Sequence, residues 1–258
     1  MSKIIVHQFP CLQDNYGYLV HVPDDNVTAT IDTPDVAAIE NALAVRGWTL
    51  THILNTHWHA DHAGGNAAIK EKYGVTVIGP RGEAEKIPGI DRAIGEGDKL
   101  SLGTVPIKVL DVPGHTLGHI AYWFETETVA FVGDTLFALG CGRVFEGTFP
   151  QMWGSLLKLL ALPDETLVYC AHEYTAGNAA FAVTIEPDNK ELVARVEKVR
   201  ELRAAGQPTV PSTIGLERRT NPFLRPSAPA IRARLQLEGR SDADVFGEIR
   251  TRKDSFRA

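Results

Sequence analysis

Long apolar runs, paired cysteines and a strong net charge are all absent from this chain of 258 residues. No stretch approaches the ~18 consecutive apolar residues that span a membrane. The first residues also lack the apolar core and cleavage site of a signal peptide. The three cysteines, Cys11, Cys141 and Cys170, are odd in number and far apart, which excludes a disulfide scaffold and suits a reducing compartment. We therefore expect a cytoplasmic protein with no membrane partner.

Charge excludes further classes of protein. The net charge of −6 is small against 44% hydrophobic residues, so a disordered chain is excluded. The first 172 residues carry a net charge of −9, which argues against a nucleic-acid partner, whereas the last 86 carry +3. The basic part is compatible with a small anionic ligand. All nine histidines lie between His7 and His172, so any histidine chemistry belongs to the first two thirds of the chain.

Short segments rich in Val, Ile, Tyr and Phe predict β-strands in the first 172 residues. They cover residues 4–9, 16–22, 27–31, 51–55, 75–78, 107–112, 120–124, 129–132 and 167–170. Helices are predicted between some of them, from Val36 to just before Gly47, over residues 67–73 and over residues 153–160. Runs of strands with interspersed helices indicate sheets covered by helices, in the α/β (α+β) class.

The pattern changes after residue 172. Apolar residues at helical spacing predict a surface helix over residues 192–202, which Gly206 ends. A final helix is predicted from Asp242 to Arg250, and the five prolines between residues 208 and 229 predict loops. We therefore expect two domains, a metal-binding catalytic domain over residues 1–172 and a helical substrate-binding domain over residues 173–258.

The histidine-rich segment at residues 57–62 carries the strongest signal for chemistry. It reads His-Trp-His-Ala-Asp-His and follows a predicted strand. Its ligand spacing would arise by chance on the order of 6 × 10⁻⁴ times in a chain of this composition. Alternation in an extended stretch places His57, His59 and Asp61 on one side, and the next turn brings in His62. Because four ligands are too many for one ion with an open position, the segment predicts two metal ions.

Three more candidate ligands lie where predicted strands end in loops, which is where scaffolds place functional side chains. They are His115, Asp134 and His172. Cys141 is a less favoured alternative ligand, because nitrogen and oxygen donors already fill the predicted site. His7, His21, His52 and His119 are predicted to be packing residues. Asp32 has two open interpretations, a hydrogen-bond partner of a ligand histidine or an ordinary turn residue. Trp58 is similarly open, as a pocket wall or as a packed aromatic.

This set of motifs resembles the metallo-β-lactamase superfamily and, within it, the hydroxyacylglutathione hydrolases (glyoxalase II). The metal-ligand pattern is specific to the superfamily alone. The resemblance to the narrower family covers nearly the whole chain and rests on residues 14–16, 133–137, 140–143, 145–148, 172–175, 208–213 and 221–223, with Arg250, Lys253 and Asp254.

The resemblance implies a four-layer αββα sandwich with a C-terminal helical domain. It implies one ion held by His57, His59 and His115, and another held by Asp61, His62 and His172. Asp134 would bridge the two ions. The glycine end of glutathione would be bound by Arg250 and Lys253, with contributions from Arg143 and Tyr174. Phe145 is a further expected substrate-binding residue; it stands where some family members have Tyr, which removes a hydroxyl that could touch the substrate.

The implied reaction is hydrolysis of a glutathione thioester of a 2-hydroxy acid. S-lactoylglutathione would give glutathione and D-lactate, the second step of methylglyoxal detoxification. Two metal ions can share one water and lower its pKa toward 7, so that bridging hydroxide attacks the carbonyl and no protein nucleophile is needed. Zinc is the first choice of metal, with iron or manganese as alternatives. The expected partner is the small-molecule thioester alone, bound by a monomer.

Two other functions stay open at this point. One is a glutathione-persulfide (sulfur) dioxygenase with a single iron on the same fold. The other is a non-catalytic metal-binding module, which would require a missing ligand or a blocked pocket.

Overall fold

A computed structural model describes residues 3–257 of the chain. The chain divides into two compact units. The first unit comprises Met1–Asp111 and Thr116–Gly133, and the second comprises Val112–His115 and Asp134–Ala258. The predicted boundary between residues 172 and 173 stays a prediction.

The first unit begins with a six-stranded sheet whose strands lie side by side in sequence order. The first three strands are antiparallel, and the pairs from the third to the sixth are parallel. These strands are β1 (Ile5–Cys11), β2 (Asn15–Val22), β3 (Val27–Ile31), β4 (His52–Leu54), β5 (Thr76–Pro80) and β6 (Arg92–Ile94). Because parallel neighbours need a crossover, helices stand in two of these connections. They are α1 (Val36–Arg46), α2 (Ala60–Ala63) and α3 (Asn66–Tyr73).

The helix α1 shows how the sequence sets these boundaries. The side chain of Asp35 accepts a hydrogen bond from the backbone nitrogen of Ala38 and so caps the first turn. Gly47 takes a left-handed conformation at φ 66° and ends the helix. Ile39 is fully buried against Leu19 and Ile53 of the sheet, in one cluster of apolar side chains. The predicted helix from Val36 to Gly47 is therefore confirmed.

A second run of strands completes the first unit. It comprises β7 (Leu100–Leu102), β8 (Val105–Asp111), β9 (Ile120–Phe124) and β10 (Val129–Gly133), joined by antiparallel pairing. In β8 every second side chain from Val105 to Val109 is buried, as expected where one face of a sheet is covered. The ring of Tyr18 in β2 lies 5.4 Å from that of Phe131 in β10, so side chains of the two runs of strands meet in the core.

The second unit is mainly helical. Its elements are β11 (Leu136–Phe137), β12 (Gly140–Cys141), α4 (Phe149–Leu160), β13 (Leu167–Cys170), α5 (Thr175–Ile185), α6 (Lys190–Ala204), β14 (Ser212–Thr213), α7 (Ile214–Thr220), α8 (Pro229–Leu235) and α9 (Asp242–Ser255). The chain is thus a mixed α/β protein with two main sheets and a helical C-terminal region, as its sequence predicts. Among residues 3–257, no helix is long and apolar enough to cross a membrane.

The interpretation of the proline-rich segment as loops is wrong in two places. Helix α7 begins where the hydroxyl of Thr213 accepts a hydrogen bond from the nitrogen of Leu216. Helix α8 begins at Pro229. Proline has no backbone N–H, and this costs no hydrogen bond here because backbone N–H groups in the first turn of a helix have no acceptor within the helix. Helix α5 was not predicted, and the last helix continues past Arg250 to Ser255.

Candidate metal centre

The histidine-rich segment lies in the first unit and follows directly on β4. His57 and His62 are almost fully buried, at 0% and 1% exposure. Nε2 of His57 lies 3.0 Å from Nδ1 of His59, and ligand-type atoms of His57 and His62 lie within 4.8 Å of each other. His59 immediately precedes α2, whose single turn carries Asp61 and His62. The extended stretch thus carries His57 and His59, and the turn carries Asp61 together with His62. The expectation that Asp61 lies in the extended stretch with His57 and His59 is wrong, because the helical turn already begins at Ala60.

Asp32 holds His62 in place. Its Oδ2 lies 2.8 Å from Nδ1 of His62, and its carboxylate also accepts hydrogen bonds from the nitrogen and hydroxyl of Thr56. Asp32 adopts a left-handed conformation at φ 59° at the end of β3, a rare state for a residue other than glycine. Of the two interpretations of Asp32, the first is therefore confirmed: Asp32 is a hydrogen-bond partner of His62. A fixed Nδ1 leaves Nε2 as the nitrogen available for a metal ion.

Asp61 is more exposed than His57 and His62. Its side chain is 40% exposed, and its Oδ2 lies 3.6 Å from Nε2 of His62. The same oxygen accepts a hydrogen bond of 3.1 Å from the side-chain amide of Asn15. Asn15 belongs to the segment 14–16 that contributes to the family resemblance, but its contact with Asp61 was not predicted.

Two further residues of the first unit support the segment: Glu83, which was not predicted, and His119, which was predicted to be a packing residue. The buried carboxylate of Glu83 accepts hydrogen bonds from the backbone nitrogens of Trp58 and Gly118, at 2.8 and 2.9 Å. The imidazole of His119 is fully buried and stacks on that of His57, with ring centroids 4.6 Å apart. Glycine is required at Gly133, since a Cβ there would lie 2.7 Å from Nε2 of His119.

Trp58 has an environment of packing contacts. Its ring contributes to the apolar cluster beneath α1, and the ammonium of Lys86 lies 4.5 Å from the ring centroid. The observed contacts of Trp58 therefore agree with the second interpretation, that of a packed aromatic.

His115 lies in the second unit, in the loop that follows Val112. Its Nδ1 lies 2.8 Å from the carbonyl oxygen of Arg143, which can only accept a hydrogen bond. The backbone nitrogen of Gly147 also donates to the carbonyl of Gly114, so the two loops are joined next to His115. A Cβ at Gly114 would lie within 2.9 Å of three atoms of Met152, so only glycine fits this close approach.

Asp134 lies between two histidines of the second unit. Its Oδ2 is 3.4 Å from Nε2 of His115, and its Oδ1 is 3.4 Å from Nε2 of His172. Both distances exceed those of ordinary N–H···O hydrogen bonds. A carboxylate whose two oxygens face two different imidazoles has the arrangement needed to bridge two ions. Asp134, His115 and His172 are all nearly buried.

Aromatic side chains pack directly on these histidines. The ring of Tyr174 stacks on that of His172, with centroids 4.7 Å apart and an angle of 3° between planes. Phe137 of β11 contacts both rings edge-on. The ring of Phe145 lies 5.2 Å from His115 and is 59% exposed. Two predicted substrate-binding residues, Tyr174 and Phe145, therefore flank predicted ligands.

The short hairpin of β11 and β12 is held by side chains of the helical region. The carboxylate of Glu217 accepts a hydrogen bond from the nitrogen of Leu139, and the side-chain amide of Asn221 donates to the carbonyls of Phe137 and Gly140. These two residues of the second unit fix the backbone that presents Phe137 to His172. Glu217 is not among the residues predicted from the sequence.

The predicted basic residues also lie together in the second unit. Arg250 is only 5% exposed; its guanidinium donates to the carbonyl of Cys141 at 2.8 Å and to Asp254 at 3.0 Å. Arg143 donates from Nε to the same oxygen of Asp254 at 3.2 Å. Nζ of Lys253 donates to the carbonyl of Gly177. Burial lowers the pKa of Lys253, nearby Arg250 lowers it further, and Asp254 opposes the shift.

The three cysteines are free and buried. Burial raises the pKa of Cys11 and of Cys170 to about 12, and that of Cys141 to about 11 although Arg250 opposes the shift. Because the thiolate is both the nucleophile and the metal ligand, protonated thiols suit neither role at neutral pH. Cys141 is therefore not favoured as a ligand.

Comparison with known proteins first defines the class. Residues 28–172 match the model of the metallo-β-lactamase superfamily, so the chain belongs to that superfamily. Residues 173–256 match the model described as the hydroxyacylglutathione hydrolase C-terminus. A curated hydroxyacylglutathione hydrolase from Maricaulis maris is 56% identical over 256 residues, covering 99% of this chain and 100% of the relative. The chain is a member of the hydroxyacylglutathione hydrolase family, as its motifs suggested.

Solved structures agree on the fold. The crystal structure of ETHE1 from Myxococcus xanthus has a TM-score of 0.70 at 28% identity, covering 98% of this chain and 92% of that one. TTHA1623, solved in a di-iron-bound form, has a TM-score of 0.60 at 26% identity, covering 85% of this chain and all of the other. The metallo-β-lactamase fold predicted from the sequence is confirmed. Clusters of His and Asp in this fold indicate a dinuclear metal site.

Proposed function

We propose that the chain is a hydroxyacylglutathione hydrolase, a metal-dependent enzyme that cleaves the thioester of S-2-hydroxyacylglutathione. S-lactoylglutathione would yield glutathione and D-lactate, the second step of methylglyoxal detoxification. The near-complete coverage of a hydroxyacylglutathione hydrolase at 56% identity carries this proposal. The donor set described above supports it, because every one of the seven candidate ligands is an imidazole or a carboxylate.

We propose that the two sets of donors together hold two divalent ions. His57, His59 and His115 would hold one ion, and Asp61, His62 and His172 the other. Asp134 would bridge them, since its two oxygens face two different imidazoles. The residues fit such ions, because the Nδ1 atoms of His62 and His115 are held by a carboxylate and a carbonyl, as is usual for ligand histidines.

Zinc is the metal we propose, with iron or manganese as the alternatives. Imidazole and carboxylate donors suit all three. The di-iron-bound form of TTHA1623 is a distant example of an iron pair on this fold.

The bound ions would supply an activated water of lowered pKa and would polarise the thioester carbonyl. The residues of the chain position these components. Asp32 and the carbonyl of Arg143 fix His62 and His115. A thiolate leaving group has a pKa of ~8.5, so it departs without a protein acid. With all three thiols buried and protonated, the mechanism has no protein nucleophile.

Glutathione is proposed to bind through the basic and aromatic residues of the second unit. Of the three proposed basic residues, Arg143 and Lys253 have accessible surface. Arg250 is largely buried and would act on glutathione from that buried position. Tyr174 and Phe145 flank His172 and His115, so a thioester bound against them would place its acyl group beside those imidazoles. A monomeric state, a cytoplasmic location and a helical substrate-binding domain from residue 173 stay predictions.

Hydrolysis of S-lactoylglutathione by metal-loaded protein tests the proposal. We expect steady loss of thioester absorbance and elemental analysis approaching two ions per chain. Full metal content without hydrolysis would contradict the proposed enzyme. Oxygen uptake with glutathione persulfide, and one iron per chain, would instead support the sulfur dioxygenase. Neither reaction in fully loaded protein would support the non-catalytic module.

A further inference from the structure

One oxygen of Asp254 is shared by two guanidinium groups. Oδ1 accepts a hydrogen bond from Nε of Arg143 at 3.2 Å and another from Nη2 of Arg250 at 3.0 Å. Asp254 lies in the last turns of α9, four residues after Arg250. An internal carboxylate therefore already accepts a hydrogen bond from each of the two arginines to which a carboxylate ligand would bind.

The two arginines differ in how firmly they are held. The side chain of Arg250 is 6% exposed, stacks over Phe223 and also donates to the carbonyl of Cys141. The side chain of Arg143 is 53% exposed and contacts Asp254 through Nε alone. Exposed single-contact pairs contribute little free energy and exchange readily. Arg143 can therefore leave Asp254, whereas Arg250 stays paired with it.

The surrounding charge favours an anionic ligand. Lys253 adds a further cation near Arg250 and Asp254. Of the neighbouring charged residues on α9, Arg252 is paired with Glu248. The fork of Arg143 would bind a ligand carboxylate with two parallel hydrogen bonds, a stronger arrangement than its single contact with Asp254.

We propose that Asp254 is a specificity-determining residue whose carboxylate competes with the glycine carboxylate of glutathione for Arg143. This inference rests on the proposed function. In the free protein Asp254 holds Arg143, and in the complex the ligand carboxylate takes that guanidinium while Asp254 keeps Arg250. The competition weakens the binding of substrate and of the product glutathione alike, since both carry the same glycine carboxylate. It therefore sets KM and product inhibition without entering the chemical step.

The variant Asp254→Asn removes the competing charge and keeps the shape of the side chain. We expect KM for S-lactoylglutathione to fall about two- to fivefold, the range of a partly exposed ion pair, with kcat unchanged. The inhibition constant of glutathione should fall in parallel. The KM for the thioester whose glycine carboxylate is blocked as a methyl ester should not change, because that substrate has no charge there to compete.

Two further variants keep the test interpretable. Asp244→Asn makes the same change on the same helix at a residue paired with Arg240, and it should leave KM unaltered. Asp254→Glu keeps the charge and should stay close to the wild type. A raised or unchanged KM in Asp254→Asn, or an equal change with the blocked thioester, would contradict the role of Asp254. Neither result would contradict the proposed function. Failure of the wild type to hydrolyse S-lactoylglutathione would instead contradict the proposed function.

Discussion

Oδ2 of Asp32 lies 2.8 Å from Nδ1 of His62, and the same carboxylate holds the backbone nitrogen of Thr56 at 2.7 Å. One side chain at the end of β3 thus fixes both the start of the histidine-rich segment and the ring of its last histidine.

The variant Asp32→Asn should therefore weaken metal binding while leaving all seven proposed ligands in place. Loss of such a partner typically lowers metal affinity by about 10- to 100-fold. Competition with a chelator measures the affinity directly. Asp35→Asn is the matched control, because Asn also caps helices well and Asp35 contacts α1. Equal affinities of the Asp32 variant and the wild type would contradict this role.

Asp134→Ala should remove both ions, because this carboxylate faces His115 with one oxygen and His172 with the other. We expect metal content well below one ion per chain and loss of turnover by several orders of magnitude. Asp164→Ala, at an exposed residue of the same unit paired with Arg218, serves as the control. A variant that keeps two ions would place the bridge elsewhere.

Single replacements of Cys11, Cys141 and Cys170 by Ala should each keep most of the turnover. Burial raises the pKa of every one of these thiols to about 11 or 12, so none supplies a thiolate at neutral pH. Mass spectrometry of the protein during turnover should show no acyl adduct. A trapped acyl-enzyme on any cysteine would disprove hydrolysis without a protein nucleophile.

The same buried thiols predict a loss of stability in alkali. A thiol whose pKa is raised on folding stabilises the native state below its unfolded value of 9.0, and this contribution is lost as the pH rises through the folded value. The free energy of unfolding should therefore fall between pH 9 and about pH 12. The fall should be shallower in Cys170→Ala than in the wild type when both are followed by urea unfolding.

Lys253→Met should raise KM for a glutathione thioester about 10- to 100-fold with little change in kcat, since a charged hydrogen bond contributes on the order of 1.5–3 kcal/mol. Arg250→Ala should also raise KM, but it loses stability as well, because Arg250 is buried against Cys141 and Phe223. Arg252→Ala, one residue away and exposed, is the control. Metal content should not change, and an unchanged KM in Lys253→Met would remove the support for a glutathione site here.

The candidate ligands could be found from the sequence because their signals are local. A strand pattern followed by a loop residue predicts where His115, Asp134 and His172 lie along the fold, and the spacing at residues 57–62 is visible in the chain itself. The helical turn α2, which carries Asp61 and His62, could not be predicted from that spacing, because the same residues also fit an extended stretch.

The partners of these residues could not be predicted in the same way. Glu83 contacts Trp58, and Asn15 contacts Asp61, across 25 and 46 residues of chain. Such pairs depend on how strands are ordered in the sheet, which a local pattern does not contain. Helix α8 contradicts the prediction of a loop, because proline indicates loops in general but is also favourable at the first helical position, where Pro229 lies.

Arg143 contacts one neighbour through its backbone and another through its side chain. Its carbonyl oxygen accepts from His115, and its guanidinium pairs with Asp254. Every amino acid has such a backbone carbonyl, whereas the guanidinium belongs to arginine alone. At the glutathione site proposed here, a mutation of Arg143 would therefore change the binding of the thiol part of the substrate while preserving the orientation of His115. Substrate preference at such a site would be open to evolution or protein engineering independently of the metal chemistry.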